Sequence, residues 1–235
     1  MSKKQYALVT GGTRGIGQAI ALRLLEEGFS VFYTGTTVKS IKATAEVFKS
    51  YKEQAIALVC DVTDENNISA LLTRITETTK SLDILVNNAG VFISDGFSGG
   101  SADTVRNLFE VNVLGTYSIS QAMMPLLRKA KRAHIFNICS VAGLSAYPNG
   151  CSYSISKFAM DGLGKSMRLE LKDQGIRVTQ VYLGATYTDS WSKSDLPESR
   201  FMQATDVAKS IFNAYDINLN SNVEEIVIRP ILGDI

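Results

Sequence analysis

"YALVTGGTRGIGQAIALRLLEEG", residues 6–28, sets a short apolar run, a cluster of glycines and an amphipathic stretch in direct succession. The run reads as a strand. The stretch that follows keeps apolar residues at Ile20, Leu24 and Leu25, the spacing of one helical face, and stops at Gly28. Between them Gly11, Gly15 and Gly17 allow a tight turn and a close approach of backbone, while the free amides of a helix N-terminus face negative charge. Strand, glycine turn and helix in this order are the context of a phosphate cradle for a dinucleotide. A glycine-rich turn without a ligand reads the same way at this point. A P-loop does not, because no Lys-Ser or Lys-Thr follows the glycines.

The same alternation continues along the chain. Further apolar, β-branched runs are "SVFYT", "AIALVC", "DILVNN", "HIFNICS", "RVTQVYL" and "EEIVIRP". Amphipathic stretches separate them, such as "DVTDENNISALLTRITETT", with Asp64 as N-cap before a stripe at Ile68, Leu71, Leu72 and Ile75. Continuously apolar strands are expected where helices cover both faces of a parallel sheet. The pattern predicts a doubly wound α/β fold, a single Rossmann-type parallel sheet of about seven strands with helices on both faces. Without a linker, repeat or low-complexity stretch, residues 1–235 read as one domain.

Composition narrows the function classes. With 45% apolar residues, 20% charged residues and a net charge of +1, the chain has the balance of a globular protein with a full core. Its charges are interspersed, so no basic stripe suggests nucleic acid or an anionic membrane surface. The N-terminus reaches its glycines too soon for a secretory signal, and no apolar run approaches membrane-spanning length. A cytoplasmic protein is expected, in which the sequon at Asn67 carries no meaning. Cys60, Cys139 and Cys151 form no C-x-x-C and read as reduced thiols. The single histidine, His134, opens an apolar run, which argues against a histidine-based metal cluster and against a Ser-His-Asp hydrolase. No metal site is expected.

"CSYSISKF", residues 151–158, places Tyr153 and Lys157 four positions apart, on one face of a helix. A free phenol ionises near ~10, too high for acid–base work at neutral pH. A neighbouring ammonium favours the phenolate and so suits the phenol to proton transfer. The pair also occurs by chance in many helices, and the rest of the chain decides its meaning.

The spacing G-x-x-x-G-x-G, rather than G-x-G-x-x-G, resembles the short-chain dehydrogenase/reductase family, and further motifs follow in the family's order. "NNAG", residues 87–90, ends the fourth run. Asn112 in "FEVNVLG", Ser140 in "NICS", Tyr153 and Lys157 stand at the family's catalytic positions. The resemblance covers nearly the whole chain. It implies an oxidoreductase that reduces a carbonyl (a 3-oxoacyl thioester, a small 3-oxo acid or a ketone) to an alcohol by hydride transfer. Tyr153 would be the general acid/base, and Ser140 would hydrogen-bond the reacting oxygen. Lys157 would serve both the phenol and the nicotinamide ribose. Asn112 would distort its helix and hold a water in a proton relay. For Asn112 a merely tolerated polar residue, and for Ser140 a strand-end cap, remain alternatives. A non-catalytic NADP-binding sensor is the competing function, although such relatives tend to lose the tyrosine or the lysine.

By the same resemblance the cofactor is held by Gly11, Thr13, Arg14, Gly15, Ile16, Gly17, Thr36, Asp61, Val62, Asn88, Ala89, Gly90, Tyr153, Lys157, Gly184, Thr186 and Thr188. NAD-binding members carry an acidic residue at the end of the second strand. Here that position is Gly35, followed by Thr36 and Thr37, and Arg14 stands where NADP-binding members keep a basic residue. NADPH is therefore expected in preference to NADH, with Gly35→Asp reversing or erasing that choice. A solvated loop charge is the plain alternative for Arg14. Two departures stand out. Leu183-Gly184 replaces the usual Pro-Gly, which is expected to change loop mobility, and "EEIVIRPILGDI" lacks the glycine-rich ending of 3-oxoacyl-carrier-protein reductases.

The family uses the region of residues 187–204 as a substrate lid, and a surface loop whose apolar residues pack down is the alternative. A homotetramer or homodimer is expected through stretches 104–130 and 151–173, the second made greasy by Phe158, Leu163, Met167 and Leu171. Ordinary core packing would explain the same residues. The other expected partner is a small-molecule carbonyl or alcohol substrate, with no nucleic acid and no membrane.

Overall fold

A computed structural model describes residues 4–191 and 194–235. The seven apolar runs become seven strands: β1 (Tyr6–Val9), β2 (Ser30–Gly35), β3 (Ala55–Val59), β4 (Ile84–Asn87), β5 (His134–Ser140), β6 (Arg177–Leu183) and β7 (Glu225–Ile228). They form one parallel sheet in the order β3-β2-β1-β4-β5-β6-β7. The order reverses between β1 and β4, and that switch point is where an open α/β sheet leaves a crevice at the carboxyl ends of its strands.

Successive strand residues point to opposite faces, and the two cores divide accordingly. Ala7, Val9, Val31 and Val86 join α1 (Gly15–Glu26) and α7 (Ala204–Tyr215) on one face. Leu8, Phe32, Leu85 and Ile135 join α3 (Glu65–Thr78) and α5 (Gly115–Leu127) on the other. The central strands are covered on both sides as their composition required. The edges are not: Val59 on β3 and Val227 on β7 are exposed. Thr37 caps the short α2 (Val38–Thr44) by accepting from Ser40 N, and Asp64 caps α3 as expected, accepting from the amides of Asn66 and Asn67.

The stretch expected as a helix over 104–130 is interrupted. It forms α4 (Ala102–Phe109), a π-helical turn (Glu110–Leu114) and α5, and Asn112 lies inside that turn. The longest helix, α6 (Cys151–Leu171), carries Tyr153 and Lys157. Its apolar residues do not all face outward. Phe158 is 45% exposed, but Leu163 and Met167 are half-buried against the cores and Leu171 is buried within one. The reason is helical geometry: positions 167 and 171 follow the stripe that faces the sheet.

His134 is fully buried at the amino end of β5, stacked on Phe136 at 4.0 Å with a ring nitrogen 2.7 Å from Thr179 Oγ1. Burial, with Arg177 and Arg132 nearby, holds its pKa well below the usual imidazole value. It is a neutral core residue at the end of the sheet away from the crevice. No helix among the described residues is long and apolar enough to cross a membrane.

Candidate active site

The carboxyl ends of the strands open on a cleft of about 1040 Å³. Its first wall is the glycine turn. Gly11 and Gly15 adopt φ of +62° and +54°, in the left-handed region that favours glycine. Thr34, on β2, receives the Gly11 amide on its hydroxyl at 3.1 Å. Helix α1 begins behind the turn with no side-chain cap and no acidic residue in its first turn. Its leading amides therefore face the cleft as an anion site. A glycine-lined, uncapped helix start fits the pyrophosphate of a dinucleotide.

Asn88 and Ala89 were expected beside a cofactor, and they also build the turn. Both of their amides donate to Thr10 Oγ1 at 3.0 Å, and Asn88 Nδ2 donates to the carbonyls of Thr10 and Gly11 at 2.9 and 3.0 Å. The motif thus braces the glycines from the neighbouring strand. Asp61 turns its carboxylate inward locally, accepting from Thr63 N at 2.9 Å and Thr63 Oγ1 at 2.7 Å.

At the end of β2, Thr36 is exposed on the cleft and no carboxylate stands at residues 35–37. Gly35 is less open than its sequence implied. A Cβ there would lie 2.6 Å from Ser40 Oγ and 2.7 Å from Thr13 Cγ2. A side chain at Gly35 has to displace those two side-chain ends, so Gly35→Asp changes the cofactor wall together with Thr13 and Ser40. Arg14 projects at the cleft mouth and approaches Asp189 at 3.9 Å, both side chains largely solvated.

Ser140, Tyr153 and Lys157 line the same cleft as the glycine turn. Three packing contacts bring them together. Lys157 Nζ donates to the Ile138 carbonyl at 3.2 Å, Cys139 Sγ donates to the Lys157 carbonyl at 3.4 Å, and Gly143 leaves no room for a Cβ against that carbonyl. The lysine is 7% exposed, with Nζ 5.6 Å from the centre of the Tyr153 ring. Ser140 accepts from Ala142 N at 3.1 Å, so it caps the following turn, as its alternative reading had it. That bond uses a lone pair and leaves the O–H available to donate.

Asn112 does not line the cleft. It is buried behind it, with Oδ1 accepting from Val91 N at 2.8 Å and Nδ2 donating to Val91 O at 3.1 Å and Ser156 Oγ at 3.0 Å. The expected helix distortion is present, and the side chain ties the loop after β4 to the residue preceding Lys157. Every other residue expected at the site borders the cleft: Gly11, Thr13, Arg14, Gly15, Ile16, Gly17, Thr36, Asp61, Val62, Asn88, Ala89, Gly90, Gly184, Thr186 and Thr188.

Sequence reasoning missed Phe92 and Tyr147, which add aromatic walls, and Arg229 and Asp234, which pair with each other at the rim. Phe92 meets the Tyr153 ring edge-on at 4.9 Å. Burial, then the charges of Tyr153 and Asp95, push the Tyr147 phenol up to about 12, so it stays protonated. Arg200 donates to the carbonyls of Gly233 and Asp234 at 2.9 Å and holds the tail in place. Only the polar interruption of "IRPILGDI" hinted at this wall.

Leu183 at the end of β6 pairs with Ser140 and Ile228. A proline there could not donate to the ladder, whereas Leu183 stands as the last residue of the strand. The segment expected as a lid is fixed at its base. Tyr187 N donates to Met202 O at 2.8 Å, Phe201 and Met202 are buried, and Trp191 rests on Phe201 at 5.1 Å. Residues 192 and 193 of that segment lie outside the described residues.

The profile of the family described as short chain dehydrogenase matches residues 5–199. Among curated proteins, a sepiapterin reductase of Chlorobaculum tepidum is 34% identical over 244 residues, covering 99% of this chain and 98% of its own. An uncharacterised oxidoreductase of Staphylococcus epidermidis is 29% identical over 229 residues, covering 97% and 98%. Among solved structures, ElxO with NADP bound superposes with a TM-score of 0.89 at 29% identity, over 96% of this chain and 97% of its own.

Proposed function

The chain belongs to the short-chain dehydrogenase family of NAD(P)-dependent oxidoreductases, and from that membership we propose that it reduces a carbonyl to an alcohol with NADPH, using Tyr153 as the general acid. One observation carries this reading: the Tyr153 phenol and the buried Lys157 ammonium open onto the same cleft as the uncapped glycine turn. The reductase relative from Chlorobaculum tepidum supports the direction of reaction.

When bound, the nicotinamide supplies the hydride. The remaining work belongs to the chain. Tyr153 gives its proton to the carbonyl oxygen as negative charge builds there. Ser140 turns its free O–H to the same oxygen and stabilises that charge. Lys157 places its ammonium beside the phenol, and its donors not used on Ile138 would hold the ribose hydroxyls. Asn112, with both amide N–H groups engaged, acts by holding Val91 and Ser156 in place rather than by touching the reactants.

NADP as the cofactor is supported by the NADP bound to ElxO. A preference for NADPH over NADH rests on residues 35–37, which bear no carboxylate to repel a 2′-phosphate, and on Arg14, whose guanidinium reaches the cleft mouth. NADPH is expected to be favoured at least about tenfold in kcat/KM, roughly 1.4 kcal/mol. Thr36→Asp, at an exposed position free of the Gly35 clash, should erase the difference. Equal kcat/KM for both cofactors in the wild type would refute the assignment.

The substrate test is NADPH consumption with 3-oxoacyl thioesters, small 3-oxo acids, quinones and simple ketones. Bound NADPH with no turnover on any of them would instead indicate a cofactor-binding sensor. We further propose a dimer or tetramer through the outer faces of α5 and α6, where Tyr117, Ile155, Phe158 and Leu169 are exposed. A monomeric mass by light scattering at micromolar concentration would exclude it.

A further inference from the structure

Helix α6 carries both Tyr153 and Lys157, yet it starts without a capping side chain of its own. Its N-cap is Gly150, which makes no side-chain bond. Buried leading amides need partners, and they find them in the loop after β4. The Asp95 carbonyl accepts from Cys151 N at 3.1 Å. One oxygen of the Asp95 carboxylate accepts from Ser152 N at 3.0 Å, and the other accepts from Ser152 Oγ. Ser152 is 3% exposed and directly precedes Tyr153.

The surrounding contacts make this a clasp rather than a chance encounter. Asp95 and Gly150 form a short parallel bridge, and Ser94 Oγ donates to the Asn149 carbonyl at 2.8 Å. Asn149 takes φ of +58°, a left-handed turn conformation that asparagine adopts more readily than other non-glycine residues. The same loop is fastened at its start by Asn112 to Val91, and Phe92 presses on the Tyr153 ring between the two fastenings. Asp95 itself does not line the cleft.

We propose that Asp95 is a positioning residue for the reduction: its carboxylate caps α6 from a remote loop and sets where the Tyr153 phenol stands in the cleft. The inference rests on reading Tyr153 as the acid–base group. Displacing a reacting group by about 1 Å can cost on the order of 10²-fold in rate, so a cap one residue before the phenol has leverage on turnover. A cap that served stability alone would leave kcat untouched in the folded enzyme.

The test compares Asp95→Ala, Asp95→Asn and Ser152→Ala in the full chain. Asp95→Ala should lower kcat by about tenfold or more, while KM for NADPH stays unchanged because the cofactor wall is not touched. Asp95→Asn keeps an oxygen for the Ser152 amide and should recover most of the rate. Ser152→Ala removes only the hydroxyl contact and should fall between them. Wild-type kcat in Asp95→Ala, measured well below its unfolding temperature, would overturn the proposal. Equal losses in the alanine and asparagine variants would also overturn it, since charge and not position would then be responsible. Hydrogen exchange of the first turn of α6 gives a reading independent of activity. Asp95→Ala should expose the amide of residue 152, which loses its carboxylate acceptor, and unchanged protection there would sink the cap. Failure of the wild type to reduce any carbonyl would refute the proposed function, while the exchange result would still decide the clasp.

Discussion

Tyr153→Phe is expected to lower carbonyl reduction by about 10²–10⁴-fold or more, with NADPH affinity nearly unchanged. The substitution removes a transferable proton and one oxygen. The phenylalanine ring still fills the space against Phe92, so the edge-on contact at 4.9 Å and the start of α6 are kept. Lys157→Ala should behave differently. Its Nζ is bonded to the Ile138 carbonyl and stands 5.6 Å from the centre of the Tyr153 ring, so its loss removes the group proposed to hold the ribose and the cation nearest the phenol. Turnover and NADPH binding should both suffer. Steady-state kinetics and a fluorescence titration of NADPH separate the two variants. If Tyr153→Phe kept more than about a tenth of the wild-type rate, the acid would be another group.

Gly17→Ala is expected to weaken NADPH binding by about 100-fold, roughly 2.7 kcal/mol, and to lower the melting temperature as well. An added Cβ would stand 2.3 Å from the Gly11 carbonyl oxygen and 2.4 Å from Asn88 Nδ2. Neither can retreat cheaply. Gly11 is held in a left-handed conformation, and Asn88 Nδ2 is bonded to two carbonyls of the same turn. One methyl would therefore push the cradle and its brace apart, at an overpacking cost of about 1–3 kcal/mol in stability. Gly162→Ala is the control. It adds the same methyl to a helix where nothing lies within 4 Å, and it should leave cofactor affinity alone. Equal dissociation constants for Gly17→Ala and the wild type would show that the close approach serves packing rather than phosphate.

Much of this site could be read in order along the chain, because strand ends and glycine turns have local signatures. What could not be read along the chain shares a different property. Gly35 looked free because its crowding by Thr13 and Ser40 comes from other turns. Leu171 looked like surface because a helix shows its apolar residues without showing which of them meet the sheet. Asn112 stood at a catalytic position of the family, and its burial behind the cleft depends on the loop after β4 folding over it.

The sequence by itself determined the seven parallel strands, the placing of a dinucleotide turn after the first of them and the pairing of Tyr153 with Lys157 on one helix. Each of these follows from periodicity and spacing, which act over a few residues and survive without knowledge of the fold. Only the tertiary structure decided which side chains close the cleft and which hold the catalytic helix in place. Arg229 and Asp234 reach the rim because the tail folds back over the end of β6, and Asp95 reaches the start of α6 from 57 residues away. Such contacts depend on shape and on buried amides finding partners across the molecule, and no local pattern records where those partners are.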